Sequence, residues 1–305
     1  MPRRRGGVPR PGRSRREAGP VAFPAVPAVG IVGAGRAGLG LAVALRRARI
    51  AVLGVHGRRE KPVPPGVKLT VGGSPPWLAR AAIVVLAVGD DALGPCVADL
   101  ARAEALVPGQ VVLHLSGALT SDVLAPLAAL GAKTGSMHPL IAFAADPAAS
   151  ARRFRGATFA LEGNVGAVAL ADAVVRRLGG VPVTLAPELK PLYHAGAVFA
   201  SNYLVTLVAV AARLLEGAGL APEAALAALA PLARATLDGL EAAGPVAALT
   251  GPVARGDVAT VRRHLMALNH ADVELYRAAG RETLKLARAA GLGSEKAARL
   301  EELLR

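Results

Sequence analysis

Cysteine and aromatic residues are scarce in this chain of 305 residues. It has one cysteine, Cys96, with one tryptophan, three tyrosines and five phenylalanines. A single cysteine excludes an intramolecular disulfide framework and a cysteine-rich zinc site, so we expect no metal. The low cysteine content also fits a reducing compartment such as the cytoplasm. We expect Cys96 to belong to the core. So few aromatic side chains exclude a row of stacking platforms for nucleic-acid bases.

Acidic residues are also in the minority. The chain has 22 Asp and Glu against 36 Lys and Arg, a formal net charge of +14. Seven arginines lie within residues 1–20, and the remaining excess is scattered, so no basic stripe forms and we expect no nucleic-acid partner. Residues 1–27 lack apolar periodicity and are predicted to form a disordered basic tail. They show no apolar secretory segment; an arginine-rich transit peptide is the alternative, although an amphipathic pattern is missing.

Apolar residues are abundant, at 53% of the chain, and they fall into two patterns. From Val29 to about Ala186, short apolar runs alternate with helical segments, including helices at 36–48 and 165–178, which predicts a doubly wound α/β sheet covered on both faces. We expect strands near residues 29–33, 50–55, 82–88, 111–115, 133–137, 157–161 and 181–185. From Pro187 onward no strand is expected, and helical runs at 188–216, 222–242, 257–289 and 294–304 are separated by Gly and Pro. The predicted domains are therefore 28–186 and an all-helical 187–305.

A glycine-rich turn follows the first predicted strand. The stretch Val29-Gly-Ile-Val-Gly-Ala-Gly-Arg-Ala-Gly38 has the G-x-G-x-x-G spacing and then enters a helical segment. Gly33 allows the sharp turn, Gly35 lets backbone approach a pyrophosphate, and Gly38 lets the helix pack on the strand. Phosphates bind the free N–H groups at such a helix N-terminus. We therefore predict a Rossmann-type dinucleotide-binding domain, with Arg36 and Ala37 also beside the cofactor.

The end of the second strand indicates which dinucleotide binds. In NAD sites a carboxylate about twenty residues after the turn binds the ribose 2′-hydroxyl. Here the sequence reads Val52-Leu-Gly-Val-His-Gly-Arg-Arg-Glu60, with no carboxylate before Glu60. Arg58 and Arg59 are suited to a 2′-phosphate, which favours NADP(H), although solvated loop arginines are the alternative reading.

Polar residues follow several other predicted strands, where ligands of doubly wound sheets bind. Val88, at the end of the strand near 82–88, is expected beside the cofactor ribose and diphosphate. Ser116, which follows the strand near 111–115, is also expected to bind the cofactor. His138 follows the strand near 133–137, and Pro139 holds it in extended backbone. Such a histidine can bind a substrate anion or relay a proton; a structural hydrogen bond is the alternative.

One predicted helix, from Leu189 to Leu215, aligns three polar side chains. At about 100° per residue, Lys190, His194 and Ser201 fall on one stripe, with Asn202 at its edge. Such residues are costly to bury without partners, although a first-turn lysine can simply be solvated. When a hydride reaches a carbonyl or imine carbon, the heteroatom needs a proton or a cation. We expect Lys190 or His194 to supply it.

Two further polar residues are candidates for orienting the substrate. Ser201 and Asn202 can hold its polar end. In the loop Thr250-Gly-Pro-Val-Ala-Arg-Gly-Asp257, Arg255 can close on a substrate carboxylate, with a surface charge as the alternative, and Asp257 is predicted to cap the next helix.

The stretch from Ala195 to Ala212 is almost uncharged and resembles a membrane span by length. Its Ser201-Asn202-Tyr203 interruption and flanking charges predict instead a helix covered by protein on most sides, so we expect no membrane. Alanine-rich helices such as 222–235 are candidates for a homodimer interface.

Four segments carry a more specific resemblance: His114-Leu-Ser-Gly117, Gly135-Ser-Met-His-Pro139, Leu192-Tyr-His-Ala-Gly-Ala-Val-Phe-Ala-Ser-Asn-Tyr203 and Thr250-Gly-Pro-Val-Ala-Arg-Gly-Asp257. With them, the chain from about Val29 to Leu304 resembles a bacterial family that joins a Rossmann-like NADP-binding domain to a C-terminal helical domain, within the 6-phosphogluconate dehydrogenase-like group. The resemblance implies an NADP oxidoreductase, and some members look like ketopantoate reductases of pantothenate synthesis. In that group a helical lysine and an asparagine four residues later serve the substrate carbonyl. Here Lys190 matches the lysine, but His194 takes the second place.

We therefore expect a cytoplasmic NADPH-dependent reductase of a small 2-keto acid, ketopantoate being the named candidate. Reduction of an imine, hydride exchange with a deazaflavin, and a non-catalytic NADP-binding sensor are the alternatives. The group commonly dimerises, which implies a homodimer through the helical domain.

Overall fold

The computed structural model describes residues 26–305 and divides into two compact units, one ending at Val198 and one running Phe199–Arg305. Most of the predicted tail, residues 1–27, lies outside the described residues. The predicted domain boundary at residue 186 follows the last strand, whereas the two units divide further along the chain, inside the long helical segment.

The first unit is built on one eight-stranded sheet. Its order is β3-β2-β1-β4-β5-β6-β7-β8, which contains the 3-2-1-4-5-6 order of Rossmann folds. The strands are β1 (Val29–Val32), β2 (Val52–Gly57), β3 (Leu69–Val71), β4 (Ile83–Leu86), β5 (Val111–His114), β6 (Lys133–Pro139), β7 (Thr158–Gly163) and β8 (Val181–Thr184). The predicted doubly wound sheet is confirmed, with two differences. The three-residue β3 was not predicted, because it is too short to show a pattern, and β7 runs antiparallel to β6.

Helices cover both faces of this sheet. The helices of this unit are α1 (Arg36–Arg47), α2 (Asp90–Arg102), α3 (Ala125–Ala129), α4 (Pro147–Arg153), α5 (Val165–Arg177) and α6 (Lys190–Val198). Alternate residues of the central strands enter different cores: Ile83 packs with α1 and α5 residues on one face, and Val84 with α2 and α3 residues on the other. This alternation follows from the two-residue period of a strand. The strand order reverses between β1 and β4, which places a crevice at their carboxyl ends.

The second unit is helical, as predicted. It begins with a π-helical turn, Phe199–Tyr203, and continues with α7 (Leu204–Gly217), α8 (Pro222–Ala248), α9 (Pro252–Arg255), α10 (Val258–Ala267), α11 (His270–Ala289) and α12 (Ser294–Leu303). The run predicted at 257–289 is two helices, because the Asn269 side chain caps α11 by accepting from Asp272 N. Asp257 caps α10 as predicted, accepting from Thr260 N at 3.0 Å. Within α8, Gly244 leaves helical geometry at φ 76°.

Candidate active site

The glycine turn after β1 has the geometry that its spacing predicts. Gly33 has φ +118°, and a Cβ there would lie 2.3 Å from Ala87 O. A Cβ on Gly38 would lie 1.8 Å from Gly33 O, so only glycine lets α1 approach the turn this closely. Gly35 is the N-cap of α1, has no side-chain cap, and has open space where a Cβ would stand. The first amides of α1 therefore face a place that an anion can occupy.

A cavity of about 970 Å³ lies at this edge of the sheet. Its size is that of a cofactor or ligand site. Five of the predicted cofactor residues line it: Gly33, Gly35, Arg58, Arg59 and Val88. Four predicted cofactor residues are not among its lining residues: Arg36, Ala37, Gly38 and Ser116. Of these, Arg36 is exposed, whereas Gly38 and Ser116 are buried.

The cavity also has lining residues that sequence reasoning missed. Lys61 adds a cation beside Arg58 and Arg59, and Arg102, paired with Asp99 at 3.1 Å, is a fourth; all four side chains are exposed. The signal was present, because Lys61 follows Arg-Arg-Glu directly in the sequence. Ser74 lies after the unpredicted β3, so its place could not be foreseen. Cys96, expected in the core, is half-buried and lines the cavity, and burial raises the pKa of its thiol to about 11.

A second polar cluster lies within the first unit where β5, β6 and α6 meet. We call Gly117, His138, Tyr193 and His194 the histidine cluster. His138 Nδ1 lies 3.0 Å from Tyr193 OH, and the two rings are edge-to-face with centroids 5.5 Å apart. The His138 and His194 rings have centroids 5.8 Å apart. The structure therefore brings together the predicted residues His138 and His194 and adds Tyr193, which was not predicted.

Gly117 forms the floor of the histidine cluster. A Cβ on this residue would lie 2.6 Å from His194 Nδ1 and 2.7 Å from His138 Nε2. Both rings thus pack directly against the Gly117 backbone, which is possible only because glycine has no Cβ. His194 Nδ1 is buried and has no hydrogen-bond partner within residues 26–305. A buried unpaired nitrogen is costly and marks a place where a ligand or water completes the bonding.

Burial sets the charge states of His138 and Tyr193 in the cluster. It lowers the pKa of His138 to about 4, and the neighbouring His194 and Lys190 lower it further in the same direction. Burial, and next to it Lys190, likewise lowers the pKa of the fully buried His114 to about 4. Burial raises the pKa of Tyr193. At neutral pH His138 is therefore a neutral imidazole beside a neutral phenol.

Lys190 is fully buried, so the alternative of a solvated first-turn lysine is wrong. Its Nζ donates to Ser116 O at 3.2 Å, Ser136 Oγ at 2.5 Å and Glu162 Oε1 at 3.2 Å. These three bonds use all three ammonium protons. Burial lowers the pKa of Lys190, and the Glu162 charge opposes that shift. Lys190 thus joins the first residue of α6 to the segment after β5, the middle of β6 and the end of β7.

Glu162 was not among the predicted residues, and it is the centre of this buried network. Its carboxylate also accepts from Ser121 N and Ser121 Oγ, each at 2.8 Å. Burial alone would raise the pKa of Glu162, but the Ser121 bonds and the Lys190 charge outweigh it and hold the pKa below its ordinary value. No sequence signal identified Glu162, because a glutamate inside an apolar strand shows no partner in the sequence.

The remaining predicted site residues belong to the second unit. Ser201 and Asn202 are exposed in the π-helical turn, and Arg255 is exposed at the end of α9. The predicted stripe of Lys190, His194 and Ser201 assumed an uninterrupted α-helix. It is wrong beyond Val198, because a π-helical turn has more residues per turn than an α-helix. Roles for Ser201, Asn202 and Arg255 stay predictions.

Among the described residues, one helical stretch, Pro187–Gly217, is long and apolar enough to cross a membrane, with a mean hydropathy of 1.7 in its most apolar window. None of that window is buried within the chain. The expectation that protein covers it on most sides is therefore wrong for the single chain. Large apolar side chains such as Phe199 and Val205 are about two-thirds exposed, at 69% each.

Comparison with known families matches two consecutive parts of the chain. Residues 17–139 match the Rossmann-like domain, and residues 157–283 match a domain of unknown function, DUF2520. No curated protein sequence matches the chain. Along the chain, the match to a Rossmann-like domain thus precedes the match to DUF2520. The comparison does not extend to the ketopantoate reductases that the sequence resemblance implied.

Solved structures similar to the chain include several reductases. Protein TM1727 of Thermotoga maritima is 22% identical with a TM-score of 0.66, covering 86% of this chain and 98% of its own. A provisionally named NADP oxidoreductase of Bacteroides fragilis, BF3122, is 22% identical with a TM-score of 0.62, covering 87% and 97%. Pyrroline carboxylate reductase of Plasmodium falciparum, solved with NADP bound, is 13% identical with a TM-score of 0.56, covering 92% and 99%. At these identities the likeness concerns the fold.

Proposed function

We propose that this protein is an NADP(H)-dependent reductase of a small carbonyl or imine compound. The observation that carries the proposal is the cavity at the reversal of strand order, which combines the Gly33 and Gly35 turn with the cations Arg58, Arg59 and Lys61. The turn offers amides and space for a pyrophosphate, and the cations suit a 2′-phosphate. A bound nicotinamide would supply a hydride. The NADP-bound fold neighbour supports this choice of cofactor.

The substrate class has two candidates. A 2-keto acid is the first, with ketopantoate as the named compound, because the neutral His138 ring offers a donor for a polarised carbonyl oxygen. A cyclic imine is the second, and the pyrroline carboxylate reductase among the fold neighbours favours it, since its name describes an imine that carries a carboxylate. His194 remains the proposed substrate contact in the first unit.

The proposal is tested by following NADPH absorbance with the purified protein and a panel of 2-keto acids, ketopantoate included, and cyclic imines. We expect oxidation with one of the two classes and much slower oxidation of NADH. An exchange reaction with a deazaflavin alone would replace the proposed substrate class. Tight NADPH binding without oxidation of any kind would contradict the enzyme and support a sensor.

We also propose that the protein is a homodimer through its helical unit. Apolar side chains on α7 and α8 are exposed in the single chain, among them Val205 at 69%, Leu226 at 55% and Leu232 at 64%. An apolar surface of this kind is usually covered by a partner. Light scattering tests for the dimer, and flotation with lipid vesicles tests whether a membrane covers the surface instead. A cytoplasmic location is part of the proposal and is tested by cell fractionation.

A further inference from the structure

The hydrogen bond between Tyr193 and His138 has a defined donor and acceptor. A phenol is a stronger acid than a neutral imidazole, so in a pair of neutral groups Tyr193 OH donates to His138 Nδ1. The remaining proton of His138 then lies on Nε2.

The other side of the His138 ring is open to a ligand. Within the described chain, Nε2 has no hydrogen-bond partner and is not buried, so a ligand can reach it. The neighbouring His194 Nδ1 is buried and unpartnered, and both rings pack against Gly117. His138 Nε2 therefore presents an accessible N–H.

We infer that His138 and Tyr193 form the proton-delivery pair of this site: His138 Nε2–H donates to the substrate heteroatom, and Tyr193 resupplies Nδ1. This inference rests on the proposed reductase function. As the hydride adds to the substrate carbon, the π electrons move to the oxygen or nitrogen, which takes the Nε2 proton. The Tyr193 proton moves to Nδ1, and the phenolate is reprotonated by water. One hydride and one proton are added to the substrate.

Other charged and titratable groups near His138 fit this role. The charges of His194 and Lys190 on α6 and of His114 on β5 lower the pKa of His138, and the charge of Asp90 on α2 raises it. The Lys190 protons are all engaged, so Lys190 has none free to transfer. It instead fixes the start of α6, and Tyr193 and His194 follow three and four residues later on the same face of that helix.

The first test reads the tautomer of His138 and does not depend on activity. The full chain with NADPH is labelled with nitrogen-15 histidine, and the His138 signals are assigned with His138→Gln. We expect a neutral ring with its proton on Nε2 near neutral pH, and a loss of that preference in Tyr193→Phe. A matched control is Tyr276→Phe, because Tyr276 OH contacts His264 Nδ1 at 2.9 Å in the second unit. It should leave the His138 signals unchanged. A proton on Nδ1, or a charged ring, would overturn the inference.

The second test compares NADPH turnover on the best substrate of the panel. We expect Tyr193→Phe and His138→Gln to lower kcat by about 100- to 10,000-fold while NADPH binding is kept, and Tyr276→Phe to match the wild type. Wild-type kcat in Tyr193→Phe would overturn the proton pair and leave the reductase intact. If no compound of the panel supports NADPH oxidation by the wild-type protein, the proposed reductase function is overturned, and the proton pair with it.

Discussion

Replacing Arg58 by alanine should weaken the binding of NADPH much more than the binding of NADH. Arg58, Arg59 and Lys61 are exposed cations on one part of the cavity wall. Hydrogen bonds to a charged group contribute about 1.5–3 kcal/mol, and exposure to solvent reduces that value through screening. We therefore expect Arg58→Ala to weaken NADPH binding by about 1–2 kcal/mol, or about five- to thirtyfold in Kd. NADH lacks the 2′-phosphate, so its Kd should change by less than about twofold.

The assay is a titration of each cofactor, followed by nicotinamide fluorescence at low and moderate salt. Adding Arg59→Ala should increase the loss for NADPH, and added salt should reduce the difference between the cofactors, because exposed charges are screened. Arg80→Ala is the matched control, since Arg80 is exposed and does not line the cavity. An equal loss for NADPH and NADH would refute the assignment of Arg58 to a 2′-phosphate.

Three further predictions concern stability and assembly. Lys190→Met leaves the buried Glu162 carboxylate without its cation and should lower the free energy of unfolding by about 3–5 kcal/mol. Adding Glu162→Gln should restore part of that loss. A free energy from urea unfolding within about 1 kcal/mol of wild type would contradict this prediction. The folded pKa of His138 lies near 4 against an ordinary 6.5, so its contribution to stability is complete above pH 6.5 and is lost as pH falls towards 4. His138→Gln should therefore flatten the pH dependence of urea unfolding in that window by up to about 1.4 kcal/mol per pH unit, and an unchanged slope would count against the neutral buried ring. The double substitution Leu226→Glu with Leu232→Glu should convert a dimer to monomers in light scattering, and a dimer that survives would place the interface elsewhere.

Sequence periodicity and glycine spacing predicted most of the fold. The strands around Val29–Val32 and Ile83–Leu86 are buried runs, and Gly33 and Gly38 are required by contacts that their spacing already implied. The direction of β7 could not be predicted, because an apolar run has the same pattern in either direction. The π-helical turn at Phe199–Tyr203 was also not visible, since it depends on backbone geometry and has no composition of its own.

The candidate site was predicted less completely. Arg58 and Arg59, which line the cavity, were expected there because the corresponding position after the glycine turn is acidic in NAD sites. Lys190 was selected because a polar side chain on an apolar helix is costly to bury, but its buried contact with Glu162 joins residues distant in sequence and was not predicted. Tyr193 was overlooked because a tyrosine on an apolar helix is ordinary until a partner such as His138 lies beside it.

The most direct test of the account is transfer of the hydride itself. NADPH carrying deuterium at the nicotinamide C4 position is incubated with the protein and the substrate panel, and the products are analysed by mass spectrometry. The account predicts deuterium on the former carbonyl or imine carbon of one product. Tight NADPH binding with no deuterium in any product would contradict it.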